Sequence, residues 1–268
     1  MVSFPFCKIN LGLQVVSKRP DGFHNIETCF YPVPWHDVLE IIPSDNFSFT
    51  YSGTPIPDDP DGNLCVRSYN QLKELYDLPP VNIHLHKIIP MGAGLGGGSS
   101  DAAHTLKIIN TLFSLDLSTQ QLSEIAAQLG SDCSFFLQNT PMIGTGRGEV
   151  LNPINISLDG KFIVIVKPDI HVSTADAYKG VTPDTSRNSL SDILTGDIKH
   201  WKNLLVNDFE ESVFSKYPQI KDLKEKLYDG GALYASMSGS GSSVFGLFDS
   251  PVALKGQFKG MSYWSGNL

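Results

Sequence analysis

The chain has 268 residues, 41% of them hydrophobic and 18% charged, with a formal net charge of −8 at pH 7. That balance excludes a disordered chain and leaves room for one large folded domain or two medium ones. An acidic balance argues against a general nucleic-acid binder, which would show a basic face, but leaves room for a local positive pocket for an anionic substrate; no run reaches the roughly 18–20 consecutive apolar residues of a membrane helix.

The opening MVSFPFCKINLGLQ has no charged stretch leading into a long apolar run. Cys7, Cys29, Cys65 and Cys133 make no CxxC pair and no zinc-type Cys/His spacing. A cytoplasmic enzyme with reduced thiols is the expectation. Residues 6–16 alternate loosely as a strand would, before a turn at Pro20-Asp21-Gly22. Residues 30–42 hold two apolar bursts broken by Pro32 and Pro34, read as strands of one sheet, and 47–51 as a further strand. A loop dense in Pro and Asp covers 54–62. Asn63 opens a helical pattern in which Leu64, Leu72, Leu75 and Tyr76 share a stripe.

VNIHLHKI alternates cleanly, with Val81, Ile83 and Leu85 on one face and Asn82, His84 and His86 on the other. An HxH pair without a third ligand reads as a polar sheet face rather than a metal site. After a glycine-rich loop, 99–113 reads as a helix burying Ala102, Ala103, Leu106, Ile109 and Leu112. Ser118 opens another, with Gln121 as capping-box partner, Leu122, Ile125, Ala126 and Leu129 as its stripe, and Gly130 as its stop. Turn residues, including GTGRGE, fill 140–161 between apolar segments at 133–137, read as a strand with a helix as the alternative, and 162–166, read as a strand. Helices are expected around 201–214 and 220–227, then a strand pair at 232–237 and 243–248 joined by the turn SGSGSS. Strand and helix runs without regular βαβα alternation indicate an α+β fold, with a domain boundary near Asn155.

The loop PMGAGLGGGSS precedes a helix. The first turn of a helix has unpaired N–H groups and a partial positive charge, and glycines leave them open to ligand oxygens. Together these make a phosphate site. The loop lacks the Gly-Lys-Ser/Thr ending of a Walker A motif, and its G-x-G-x-x-G letters lack the acidic partner of a dinucleotide fold. A purely structural glycine turn is the alternative. The second glycine-serine turn adds another small-residue surface, so the two can form a phosphate clamp with two sides.

Three segments carry a resemblance: CKINLGLQV from Cys7, PMGAGLGGGSSDAA from Pro90 and SMSGSGSSVFGLF from Ser236. The chain resembles, over about residues 6–248, the GHMP small-molecule kinases, named for galactokinase, homoserine kinase, mevalonate kinase and phosphomevalonate kinase. The resemblance implies a two-domain α+β fold with a cleft between. Residues 1–155 would be an ATP-binding, ribosomal protein S5 domain 2-like half, and 156–268 a ferredoxin-like substrate half. It also implies ATP and Mg2+ as cofactors, a small-molecule alcohol as partner, and a monomer or weak dimer that engages neither nucleic acid nor membrane. RPDGFHNIET, GSDCSFFL and LLVNDFE resemble those members that phosphorylate the 2-hydroxyl of a cytidine-diphosphate-linked sugar alcohol in non-mevalonate isoprenoid synthesis. A mevalonate- or homoserine-type kinase is the alternative.

By that resemblance Asp132 is the catalytic carboxylate, and Lys8 matches the lysine beside it, keeping the Asp ionised and stabilising phosphoryl charge. Asn10, Phe23, His24, Phe30 and Tyr178 fall on the substrate side, the histidine reading the cytosine and aromatics stacking on it. Phe23 stands where the motif usually has tyrosine, losing a hydroxyl contact. Pro90, Met91, Gly92, Ala93, Gly94, Leu95, Gly96, Gly97, Gly98, Ser99 and Ser100 fall on ATP, with Asn63 and Lys87 near adenine or ribose; Lys87 as a solvated strand end is the alternative. Ser238, Gly239, Ser240 and Gly241 form the second phosphate-side turn. Ser99 or Asp132 can approach Mg2+, with no direct ligand assigned.

Overall fold

The computed structural model describes residues 1–56, 59 and 62–268; the loop expected over 54–62 falls partly outside them. The chain opens with β1 (Val2–Ser3) and β2 (Phe6–Lys18), then β3 (His24–His36). β3 runs through Pro32 and Pro34. Its ladder with a later strand covers only Thr28 to Phe30, so both prolines lie beyond it, where that side calls for no N–H donor. The chain then turns at Asp37 into β4 (Val38–Pro43), which joins a different sheet. The single sheet expected for 30–42 is therefore two.

β5 (Ser48–Gly53) leads to α1 (Leu64–Tyr76), where the Asn63 side chain accepts from the Cys65 N–H at 2.9 Å. The buried stripe of α1 is Cys65, Val66, Tyr69 and Leu72. Leu75 and Tyr76, expected on it, are 59% and 41% exposed. β6 (Val81–Lys87) has the expected alternation, and α2 (Gly97–Leu112) begins two residues earlier than its pattern predicted. α3 (Thr119–Leu129) carries the capping box of Ser118 and Gln121 and stops at Gly130. A 3-10 turn at Phe135–Leu137 takes the helical alternative left open for 133–137.

The turn-rich segment conceals a hairpin of β7 (Met142–Thr145) and β8 (Val150–Pro153). Gly146 and Gly148, at φ +70° and +108°, make its turn. Then come β9 (Phe162–Lys167), α4 (Thr174–Tyr178), α5 (Leu190–Leu194), α6 (Trp201–Leu204), α7 (Phe209–Lys216) and α8 (Pro218–Asp229). The helix expected at 201–214 is split because Leu13 of β2 pairs with the intervening backbone. Its N–H donates to the Val206 carbonyl, and its carbonyl accepts from the Asp208 N–H, both at 2.9 Å. β10 (Tyr234–Met237) and β11 (Val244–Phe248) form the expected antiparallel pair, and β12 (Ser262–Asn267) follows.

The chain packs as two compact units, each discontinuous in sequence. One comprises Met1–Cys7, Trp35–Met91 and Gly96–Asn139. Its sheet has the order β1-β4-β6-β5, with β5 and β6 parallel and joined by α1. Leu39 pairs with Leu85 and Ile41 with Ile83, so these four buried side chains form one apolar face. On the other face His84 shares hydrogen bonds with Thr50 and Ser52, and His86 with Ser52, so both histidines belong to a polar ladder.

The second unit comprises Lys8–Pro34, Gly92–Leu95 and Thr140–Leu268. It holds the sheets β2-β3-β7-β8 and β10-β11-β9-β12. The α8 stripe of Ile220, Leu223 and Leu227 joins Val164, Val166, Ala235, Met237 and Val244 in its core. At roughly 25 cal/mol per Å2 of apolar surface removed from water, such burial is the main force holding each layer. All four cysteines are buried, and none forms a disulfide.

Candidate active site

In the second unit the two glycine-rich turns meet. Gly94 sits at φ +75°, and a Cβ there would lie 1.9 Å from the Ser238 carbonyl oxygen, so only glycine permits this approach. The Ser238 hydroxyl donates to the Gly94 carbonyl at 2.9 Å, and the Ser243 N–H donates to the Ala93 carbonyl at 3.2 Å. Gly239 and Gly241 also take positive φ. Asn207 holds the second turn from behind, its Nδ2 donating to the carbonyls of Met237 and Gly239, each at 2.8 Å. Thr174 and Ser240 share a 3.2 Å hydroxyl contact at its rim.

Lys8 joins this junction. Its backbone N–H donates to the Leu95 carbonyl at 3.0 Å. Its Nζ donates to the Gly94 carbonyl at 2.9 Å and to Asn10 Oδ1 at 2.6 Å, and it lies 5.2 Å from the centre of the Phe30 ring. Asn10 is oriented in turn by Thr28, whose hydroxyl accepts from Asn10 Nδ2 at 2.9 Å and donates to the Gly12 carbonyl at 2.6 Å. Phe30 is buried, so it supports Lys8 and presents no open face for stacking.

The aromatic residues expected around a base divide. His24 stacks on Tyr178 with ring centres 4.6 Å apart, and Phe209 meets Tyr178 edge-on. Phe23 is 55% exposed, with the Arg147 guanidinium 5.2 Å from its ring centre.

In the first unit, Gly96 at φ +68° caps α2, and Ser99 and Ser100 fall in the helix's opening turn. The Ser100 hydroxyl is fully buried with no hydrogen-bond partner among the described residues. Asp132 is half-buried in the turn after α3. Its neighbour Cys133 contacts Ser99, and burial pushes the thiol up to about 11, which makes it packing rather than nucleophile.

Asn63, Leu64, Cys65, Lys87, Met91, Gly98 and Asp101 border a cavity of about 240 Å3. Lys87 is not solvated. Its ammonium bonds Asp37, and Asp101 Oδ2 at 2.7 Å, with all three side chains buried. Burial opposes the Lys87 charge, but Asp101 and Asp37 outweigh it and hold the ammonium above its ordinary value. Burial pushes the Asp101 carboxyl up to about 7, opposed by Lys87 and reinforced by Asp37.

Sequence reasoning missed Thr28, Asp37, Thr174 and Asn207. Asn207 lies in LLVNDFE, so a motif marked it. Thr28 likewise closes RPDGFHNIET. Asp37 and Thr174 carry no such signal, because their roles exist only through partners distant in the chain.

Family models described as "GHMP kinases N terminal domain" and "GHMP kinases C terminal" match residues 63–140 and 189–258. The chain belongs to the GHMP kinase family. A Cytophaga hutchinsonii protein named 4-diphosphocytidyl-2-C-methyl-D-erythritol kinase is 56% identical, covering 93% of each chain. A Parabacteroides distasonis protein of the same name is 51% identical over 100% of both. A solved crystal structure of 4-(cytidine 5'-diphospho)-2C-methyl-D-erythritol kinase matches with a TM-score of 0.85 at 31% identity, over 99% of this chain and 98% of that one.

Proposed function

We propose that the protein transfers the γ-phosphoryl group of ATP to the 2-hydroxyl of 4-diphosphocytidyl-2-C-methyl-D-erythritol, a step of non-mevalonate isoprenoid precursor synthesis. One observation carries the phosphoryl-transfer chemistry: Lys8, Gly94 and Ser238 are joined by direct hydrogen bonds through the Gly94 carbonyl. The choice of alcohol rests on relatives of that name that match nearly the full length.

In this reading the first-turn amides of α2 and the glycine loop grip phosphate oxygens. The Lys8 ammonium neutralises charge on the transferring group. Asp132 accepts the proton of the attacking hydroxyl. The cavity beside Asn63 and Lys87 falls below the roughly 300–1,000 Å3 of a whole-ligand pocket, so it takes one portion of the nucleotide, adenine or ribose. His24, held flat by Tyr178, donates to or accepts from the cytosine edge, while Phe23 supplies a stacking face.

Ser99 and Asp132 offer the oxygen donors that magnesium takes. The described residues contain no cluster of three His, Cys, Asp or Glu able to hold a metal ion. Magnesium would therefore come mainly on the nucleotide's own phosphates, neutralising their charge when bound.

The test is turnover by purified protein with ATP against the cytidyl compound, mevalonate and homoserine, with phosphorus NMR locating the new phosphate. The reading requires the 2-phosphate from the cytidyl compound. Turnover of mevalonate or homoserine alone would replace it with another kinase of the family.

A further inference from the structure

Asp37, Lys87 and Asp101 come from three elements of the first unit: the β3–β4 turn, the end of β6 and α2. Asp37 Oδ1 accepts from the backbone N–H groups of Ile88 and Ile89 at 2.6 and 2.8 Å. These residues lead directly into the glycine loop. Asp37 Oδ2 accepts from the Lys87 ammonium, which also reaches Asp101, just past the loop's far end. A Cβ on Gly97 would lie 3.0 Å from Lys87 Nζ, so the glycine there lets the ammonium close on the first turn of α2.

One carboxylate thus holds the loop's entry and, through a shared lysine, its exit. Burying two carboxylates around one ammonium is a poor route to stability, because a well-packed apolar trio often does as well or better. The arrangement therefore calls for a purpose other than cohesion. Lys87 and Asp101 also border the cavity assigned above to part of the nucleotide.

We propose that Asp37, Lys87 and Asp101 form a staple that fixes both ends of the glycine loop before nucleotide arrives, making Asp37 and Asp101 positioning residues for ATP. The inference rests on the kinase reading above.

The experiment measures ATP affinity of the full-length protein in Asp37→Asn, Asp101→Asn and the double variant. Affinity is read as KM in the kinase assay and as Kd by titration without acceptor. Each single variant raises both by about tenfold, as loss of one charge-assisted hydrogen bond does. The two together cost less than the product, because they share Lys87. Neither kcat nor the KM for the alcohol moves more than about twofold, whereas a merely structural role would lower the active fraction and leave KM unchanged. Asp101→Asn keeps the Asp37–Lys87 pair and leaves no orphaned charge, so it reads the staple even where Asp37→Asn fails to fold. ATP constants within twofold of wild type in folded Asp101→Asn overturn the staple. Wild-type protein that binds no ATP overturns the kinase reading and the staple with it.

Discussion

The imidazole of His24 lies flat against the phenol ring of Tyr178, with centres 4.6 Å apart and planes 14° from parallel. Two residues expected to hold a base thus hold each other. Tyr178 is also fixed by Phe209, whose ring meets it at 78°. The tyrosine is therefore the fixed plate and His24 the group it orients. Tyr178→Leu removes the plate. Stacking on an aromatic side chain is worth roughly 1–3 kcal/mol per base, so the KM for the cytidyl substrate should rise about fivefold or more. The KM for ATP should stay within about twofold. A lower kcat with both KM values unchanged would mean a folding defect instead.

Asp132→Asn tests the proton acceptor. The amide keeps the shape but cannot take the hydroxyl proton, so kcat should fall by about two orders of magnitude or more. ATP affinity, read by titration, should change no more than a few-fold. A variant with wild-type kcat would remove Asp132 from the chemistry.

Gly94→Ala and Gly160→Ala form a matched pair. Both glycines have positive φ, +75° and +78°, but an added methyl at Gly94 meets the Ser238 carbonyl at 1.9 Å, while at Gly160 it meets nothing within 4 Å. Gly160→Ala should cost only left-handed strain, about 1–2 kcal/mol by urea unfolding. Gly94→Ala should part the two turns and abolish turnover. Full activity in Gly94→Ala would show that the turns need not touch.

Burial pulls the His104 imidazole down to about 3, with Lys107 and His36 adding to the effect. Its Nδ1 shares a 2.6 Å hydrogen bond with Ser3, and Phe6 packs edge-on against the ring. A histidine whose folded pKa lies below its ordinary 6.5 contributes stability that is complete above that value and is lost as pH falls toward 3. His104→Gln should therefore lose less Tm than wild type between pH 6.5 and pH 5, by about a few degrees. Asp101 titrates in the same window in both proteins, so the difference isolates His104. Parallel Tm profiles would count against the assignment.

Elements with strong local signals were legible in the sequence. The β6 alternation, the α3 capping box and the SGSGSS hairpin each depend on neighbours within a few residues. The failures share one cause. β3 crosses two prolines because its ladder ends before them, and 201–214 breaks because Leu13, far away in sequence, takes its backbone hydrogen bonds. At the site the motifs named the lysine, the glycines and the serines. They did not disclose that Lys87 is buried between two carboxylates, since Asp37 is fifty residues distant and marked by no pattern.

β2 and β3 leave the ribosome early, yet β7, the strand that completes the β3 side of their sheet, begins at Met142. Until translation reaches it, the Thr28–Phe30 edge of β3 presents open donors and acceptors to any other nascent copy. Yield in a heterologous host should accordingly follow elongation speed and chaperone supply across the first half of the message, even for variants whose finished form is as robust as the parent.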